Sequence, residues 1–506
     1  DRVLFFVNPE FQMRDQPAGG AYLGFPGSRA TQGDIDRITA ALESRGMSAL
    51  GGGEQVTISN PLTNLFARLD FNFGNTQAVL RHNYGLAEDE IFSRGTTGTE
   101  PAFPLTGNGY AFRSVKNATV LQLRSNFANG SFNEFIAGYT TIRDKRTIPA
   151  AQPQVDVRVS GTALYSAGAE RSSHANSLDQ DILELTNNFT FPLGTSHRLT
   201  IGTQNQLYEP VNVFGQQRYG WWTFDSLDSL ESGIASRYDV GVPLGNDGQV
   251  TFRALQLSAY VQDEWQTTDN LRITLGLRAD MPRFLDEPPH NEAFASEFGG
   301  RSTSDVPNGN VTISPRIGFN WDMTGDQRNQ LRGGIGMFTG RPAFVWLSNA
   351  FQNSGSGGYA QLRCNPVTGA STANQGVPDF TQANVSNPPQ ACPGGLTAAA
   401  GGEINLFDPD FKFPQNLRAT LGYDRDLGDG LVWTIEGLYT RGINNIFYRN
   451  IALADQDGIG TGANGRVVYG DRPGAAARPA GTNRSTVLEA TNDGEEYSYS
   501  ITTGLT

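Results

Sequence analysis

Charged side chains fall on one phase of alternating stretches: Arg68, Asp70, Arg124, Arg272, Arg278, Arg316, Arg418, Asp424 and Glu436. Groups spaced this way can line a wet surface and meet one another, water or a polar solute. Two aromatic clusters offer a second kind of chemistry. Tyr219, Trp221, Trp222 and Phe224 lie in RYGWWTFDS, and Phe344 and Trp346 lie in RPAFVWLSN. Exposed rings of this sort grip sugars, peptides or planar chelates; they also anchor at a membrane boundary, the reading favoured for Phe344 and Trp346. Covalent catalysis has no foothold. The four histidines, His82, His174, His197 and His290, show neither an i, i+4 pair nor HExxH, and there is no GxSxG elbow or Walker A sequence. Gly460, Gly462 and Gly465 in GTGANG satisfy GxGxxG, yet no strand precedes them and no helical pattern follows, so a flexible loop is expected. Asp455 and Asp457 in DQDG lack the remaining ligands of a calcium loop and read as a solvated turn. No enzyme, cofactor or metal centre is expected.

The elements that hold these groups are strands. In LRITLGLRAD, Leu271, Ile273, Leu275, Leu277 and Ala279 share one face, while Arg272, Thr274, Gly276, Arg278 and Asp280 share the other. VTISPRIGFNW divides likewise, with Val311, Ile313, Ile317, Phe319 and Trp321 opposed to Thr312, Ser314, Arg316 and Asn320. Alternate side chains point to opposite sides of a strand, so each segment has an apolar face and a wet one. Short turns punctuate the pattern: GNT at 74–76, ANG at 128–130, PLGTS at 192–196, QTTDN at 266–270, DMTGDQRN at 322–329 and DLGDG at 426–430. The aromatic nearest each turn, Phe73, Phe127, Phe191, Trp265, Trp321 and Tyr423, has the parity of its apolar neighbours. That is the girdle of a transmembrane β-barrel, with apolar residues on lipid and the charged set in the lumen.

The expected fold is therefore all-β: one antiparallel transmembrane barrel domain over 1–506, with about fourteen strands, short periplasmic turns and long outer loops. The first strand is placed near Val3–Asn8 and the last near Tyr497–Gly504. The large loops are placed at about 13–64, 209–250, 341–414 and 447–495. The first holds one helical stretch, GDIDRITAALESRG, with Ile35, Ile38, Ala41 and Leu42 on one side, expected to pack over the barrel mouth. Hydrophobic content of 38% is low for a membrane protein built of helices but suits a barrel, half of whose strand positions face water. A net charge of −13 argues against a nucleic-acid partner, whose footprint is basic. Cys364 and Cys392 share one outer loop and read as a disulfide, which requires an oxidising compartment; two free thiols are the alternative.

The segment LSAYVQDEWQTTDNLRITLGLRADMPRF resembles the TonB-dependent receptors of Gram-negative outer membranes, through Tyr260, Gln262, Asp263, Trp265, Asn270, Leu271, Gly276, Leu277 and Arg278. SPRIGFNWDMTGDQRNQLRGGIGMFTGRP, with VLFFVN and FARLDFNF, is similar to the Oar-like subgroup. The resemblance implies a 22-stranded barrel with an N-terminal plug, of which this chain would be a partial barrel without plug, TonB box or final strands. Fourteen strands alone are not expected to close. It further implies uptake of a scarce carbohydrate, peptide or metal chelate, driven through the plug by a TonB–ExbB–ExbD complex, with outer-membrane lipid around the barrel. A surface protein for adhesion or export, and a passive porin, are the rival expectations.

Overall fold

A computed structural model describes residues 2–94, 103–159, 163–365, 376–398, 403–453, 460–461, 467–468, 486–494 and 496–506. Fourteen strands follow one another in chain order along one antiparallel sheet. They are β1 (Val3–Gln12), β2 (Leu62–Phe73), β3 (Thr76–Ile91), β4 (Tyr110–Asn126), β5 (Phe132–Thr147), β6 (Asn176–Leu193) and β7 (His197–Phe214). The second half comprises β8 (Ala254–Thr268), β9 (Leu271–Phe284), β10 (Thr312–Asp322), β11 (Asn329–Thr339), β12 (Gln415–Gly428), β13 (Leu431–Gly442) and β14 (Tyr497–Leu505). All six short turns join neighbouring strands. The sheet is not closed: β1 pairs only with β2 and β14 only with β13. In hydrocarbon such edges leave peptide groups unpaired, so stable insertion requires that both be paired or covered. No helix among the described residues is long and apolar enough to cross a membrane.

Facing is set by the turns. Only Gly74 and Asn75 separate the paired residues Phe73 and Thr76. Gly74, at φ +64°, takes the first position of this two-residue turn, where the left-handed region is needed. An even number of turn residues reverses parity, so Ala78 and Leu80 of β3 lie beside Phe71 and Leu69. The β8–β9 and β12–β13 turns are equally short, but register shifts at 266–268 and 426–428 restore the odd apolar phase. A bulge in one strand thus keeps an entire hairpin facing correctly.

Between the hairpins the outer segments are not loose. Short strands from four of them form a second sheet, in the order Tyr359–Cys364, Arg237–Pro243, Trp221–Phe224, Gln154–Val159, Ala163–Gly168 and Phe103–Pro104. On one face Val155, Val157, Trp222, Phe224, Tyr238 and Leu362 are buried. Helices α1 (Gln32–Glu43) and α2 (Leu227–Ser232) belong to the same core through Ile35, Ile38, Leu42, Leu227 and Leu230. The Thr31 hydroxyl caps α1 by accepting from the Asp34 N–H at 3.2 Å. We call this assembly the cap.

Candidate functional site

The polar face of the barrel sheet carries the charged set mostly as neighbouring pairs. Arg68 grips Asp70 through two nitrogens, both at 2.7 Å, and Gln77 approaches the same carboxylate. Arg124 meets Glu134 at 3.2 Å, and Glu134 also accepts from Gln122 and Asn188. Arg278 meets Asp280 at 2.8 Å, lies over the Tyr260 ring and donates to Gln204. Arg332 bridges Asp424 at 2.9 Å and Glu436 at 3.3 Å. Among the described residues Arg272, Arg316 and Arg418 have no carboxylate within ion-pair distance; Arg316 instead covers the Phe338 ring. Glycine makes room for these flat-lying groups, since a Cβ at Gly202 would stand 2.3 Å from the Tyr260 ring. A pair with both partners exposed, as Arg332 with Glu436, adds little stability, whereas Asp70 and Asp280 are buried against their arginines. The effect of the pairs is electrostatic: opposite signs alternate along the face, so it presents no single-sign field.

Arg332, Glu134 and Glu184 are further members, and each sits within a readable alternating strand. On the opposite face Phe73, Phe127, Trp265 and Trp321 are exposed beside the short turns, and Phe191 and Tyr423 are partly exposed. Trp433 joins Tyr423 there, edge to ring at 6.1 Å. His197 stacks on Trp265 and pairs with Asp263 at 2.8 Å, so one polar pair sits at girdle level on the apolar side.

At the outer end the polar face changes character. Ile182, Tyr208, Ala254 and Phe284 are buried there beneath helix α3 (Phe344–Gln352) and the segment 407–413. Phe344 packs on Tyr208 at 4.7 Å, Phe351 stacks on Phe252 at 4.3 Å, and Phe407 meets Phe284 at 5.5 Å. The outer segment between β11 and β12 therefore folds back onto the face that carries the charges.

This packing corrects the reading of the aromatics as exposed rings. Trp222, Phe224 and Phe344 are core residues, 1%, 0% and 5% exposed, because their strand or helix turns them inward. Trp221 is half-buried and shared: Asp156 accepts its Nε1–H at 2.7 Å, while Arg171 and Arg237 lie over its ring at 3.8 and 4.6 Å. Tyr219 is half-buried against His174 at 5.2 Å. Trp346 alone of the six is well exposed. The second face of the cap sheet is charged, with Arg237 and Arg363 both donating to the buried Asp239. Cys364 and Cys392 are joined in a disulfide within the cap. Asp455, Asp457, Gly462 and Gly465 lie outside the described residues, and no group of three metal-ligating side chains occurs among those described.

His174 gives the cap a pH response. Its Nδ1 accepts from the Tyr219 N–H and its Nε2 faces the Ala169 carbonyl, and burial pushes its pKa down to about 4. Above pH ~6.5 His174 is uncharged whether its segment is folded or locally unfolded. Between pH ~6.5 and about 4 only the locally unfolded segment takes up a second ring proton, so the folded cap is progressively destabilised as pH falls. Hydrogen exchange at Gln154–Val159 and Trp221–Phe224 should report this, and His174→Gln should flatten the response across the same window.

A family model described as "Outer membrane beta barrel domain" matches residues 12–503. The chain belongs to this family. That membership places the barrel in the outer membrane of a Gram-negative bacterium, in a lipid environment. Among solved structures, this outer-membrane barrel is similar to the outer membrane transporter YddB from Escherichia coli, with a TM-score of 0.59, 10% identity, and coverage of 100% of this chain and 49% of that one. The siderophore receptor PirA from Acinetobacter baumannii aligns at TM-score 0.47 and 14% identity, over 90% of this chain and 51% of that one. A mutant form of the ferric enterobactin receptor PfeA from Pseudomonas aeruginosa aligns at TM-score 0.47 and 12% identity, over 90% and 49%. The chain spans about half the length of these structures. No relative among curated proteins matches the sequence.

Proposed function

We propose that this barrel belongs to an energy-coupled outer-membrane receptor of the Oar-like, TonB-dependent kind, importing a scarce carbohydrate, peptide or metal chelate. The observation that carries the reading is the inward-folded segment with Phe344 and Phe351, packed on the lumenal face at its outer end. A passive pore needs an open, water-filled mouth, whereas aromatics packed on the outer end of the polar face suit selection by the cap and work to admit the cargo. The mixed-sign ladder below suits a moving polar solute or a packed plug, because it offers many weak partners and no deep electrostatic trap. In this reading a TonB–ExbB–ExbD complex pulls on a plug, the proton gradient supplies the free energy, and no reaction takes place at the residues of this chain.

Uptake of the cargo by cells carrying the full-length protein should disappear when the TonB complex is deleted. Uptake that continues at the same rate would exclude energy coupling and leave a passive channel.

A further inference from the structure

The cap contains a polar cleft that none of the ion pairs above uses. It lies where the end of α3 meets the strand Tyr359–Cys364 and the residues following β7, and it encloses about 180 Å³. Its wall is rich in carboxamides: Gln352, Asn353, Gln216 and Gln361, together with Tyr359 and Glu403. Among the described residues no lysine, arginine or histidine lines it. Arg218 reaches the Tyr359 hydroxyl at 2.9 Å without entering the wall.

Three features make this a built site. Gln352 is 2% exposed, yet its Oε1 is buried without a hydrogen-bond partner, and its Nε2 makes only a long contact of 3.4 Å to the Gly248 carbonyl. A buried acceptor left unmatched is costly unless something arrives to donate to it. Glu403 is held through a relay, Asn353 donating to Asn405 at 3.0 Å and Asn405 to Glu403 at 2.9 Å. Tyr359 is fixed in turn. Its hydroxyl bonds the Asp247 carbonyl, and its ring sits against Gly215 and Gly248, where an added Cβ would come within 2.3 Å.

Carboxamides both donate and accept, and so do hydroxyl groups. A wall of amides, one carboxylate, the Phe214 and Tyr359 rings and Leu244, with no cation among the described residues, matches a neutral ligand that carries hydroxyls around an apolar ring face. The volume is well above the ~10–15 Å³ that a single water needs, so the cleft has room for a small ligand such as one sugar ring. We propose that this cleft binds one ring of a neutral carbohydrate, the Gln352 amide rotating toward the cleft it lines so that its Oε1 accepts from a ligand hydroxyl. The proposal names a cargo class for the receptor described above and rests on that reading for transport, though not for binding.

The test uses the full-length protein in detergent, titrated with maltotriose, xylotriose and chitotriose, and with trigalacturonate and trialanine as charged and peptidic probes. Saturation-transfer NMR and calorimetry read binding. At least one neutral trisaccharide should bind saturably, and Gln361→Ala, at the exposed rim, should weaken it about tenfold. Gln352→Met keeps the side-chain volume and removes the acceptor, and should do the same. Arg363→Ala, on the charged sheet face outside the cleft, should leave binding unchanged. No neutral trisaccharide binding at roughly 10 mM (Kd above the weakest specific range), binding untouched by both cleft variants, or preference for trigalacturonate or trialanine would each overturn the assignment. Because uptake is not the readout, a failure here leaves import of another cargo standing. Uptake independent of TonB would in turn leave the sugar site standing.

Discussion

Leu277→Arg in the full-length barrel should destabilise the inserted state by about 2–4 kcal/mol, the cost of a cation on the lipid side near the bilayer midplane. Leu277 is 50% exposed on the apolar face, opposite Val261 and Pro315. It stands four residues beyond Ile273, the cross-strand partner of girdle residue Trp265. At about 3.4 Å per residue and a tilt near 45°, that is roughly 10 Å into a band about 25 Å tall. The neighbouring Arg278 shows that the chemistry itself is tolerated one residue away, where Asp280 and Gln204 receive it. Thr274→Arg on the polar face, opposite Glu264, should therefore cost less than about 1 kcal/mol. Urea unfolding from lipid vesicles measures both. Equal losses would mean that the two faces have been assigned wrongly.

That facing was legible because it is local. Alternation in LRITLGLRAD and the short turns are properties of neighbouring residues, and every such turn became a hairpin. Helix α1 was readable for the same reason, since Ile35, Ile38, Ala41 and Leu42 recur at helical spacing and are the residues it buries. The cap was not readable. Its strands are four to seven residues long where they carry the core, and they pair across great sequence distance, as Trp222 does with Val155 and Tyr238 with Cys364. A four-residue strand such as WWTF has too little period to say that Trp222 faces a core while Trp221 meets two arginines. α3 misled in another way. FVWLSNAFQ follows a strand end and is apolar enough to pass for a lipid girdle, but Phe344, Leu347 and Phe351 recur at helical spacing and face inward. The cleft at Gln352 was invisible altogether, because residues 216, 352, 361 and 403 come together only through tertiary folding.

Replacing both Cys364 and Cys392 with alanine should loosen the cap while leaving the barrel intact. The two residues are 28 apart in sequence, and closing a loop of that size restricts the opened chain by roughly 3–4 kcal/mol in the loop-entropy model. Cys364 ends the edge strand of the cap sheet and Cys392 lies in the following segment, both within the core. What remains to hold that segment is mainly Phe380, packed on Trp222 at 5.1 Å and Phe224 at 5.3 Å, together with Arg45, which donates to the Phe380 carbonyl. Hydrogen exchange should therefore accelerate by about a hundredfold or more at 376–398 and in α2, which follows from a loss of that size. The β8–β9 hairpin should exchange as before, since its ladder and girdle share no contact with the disulfide core. Matched acceleration in both regions would make cap and barrel one cooperative unit, which would tell against the proposed admission of cargo through the cap. Acceleration confined to the cap is the behaviour required of a selective mouth on a rigid barrel.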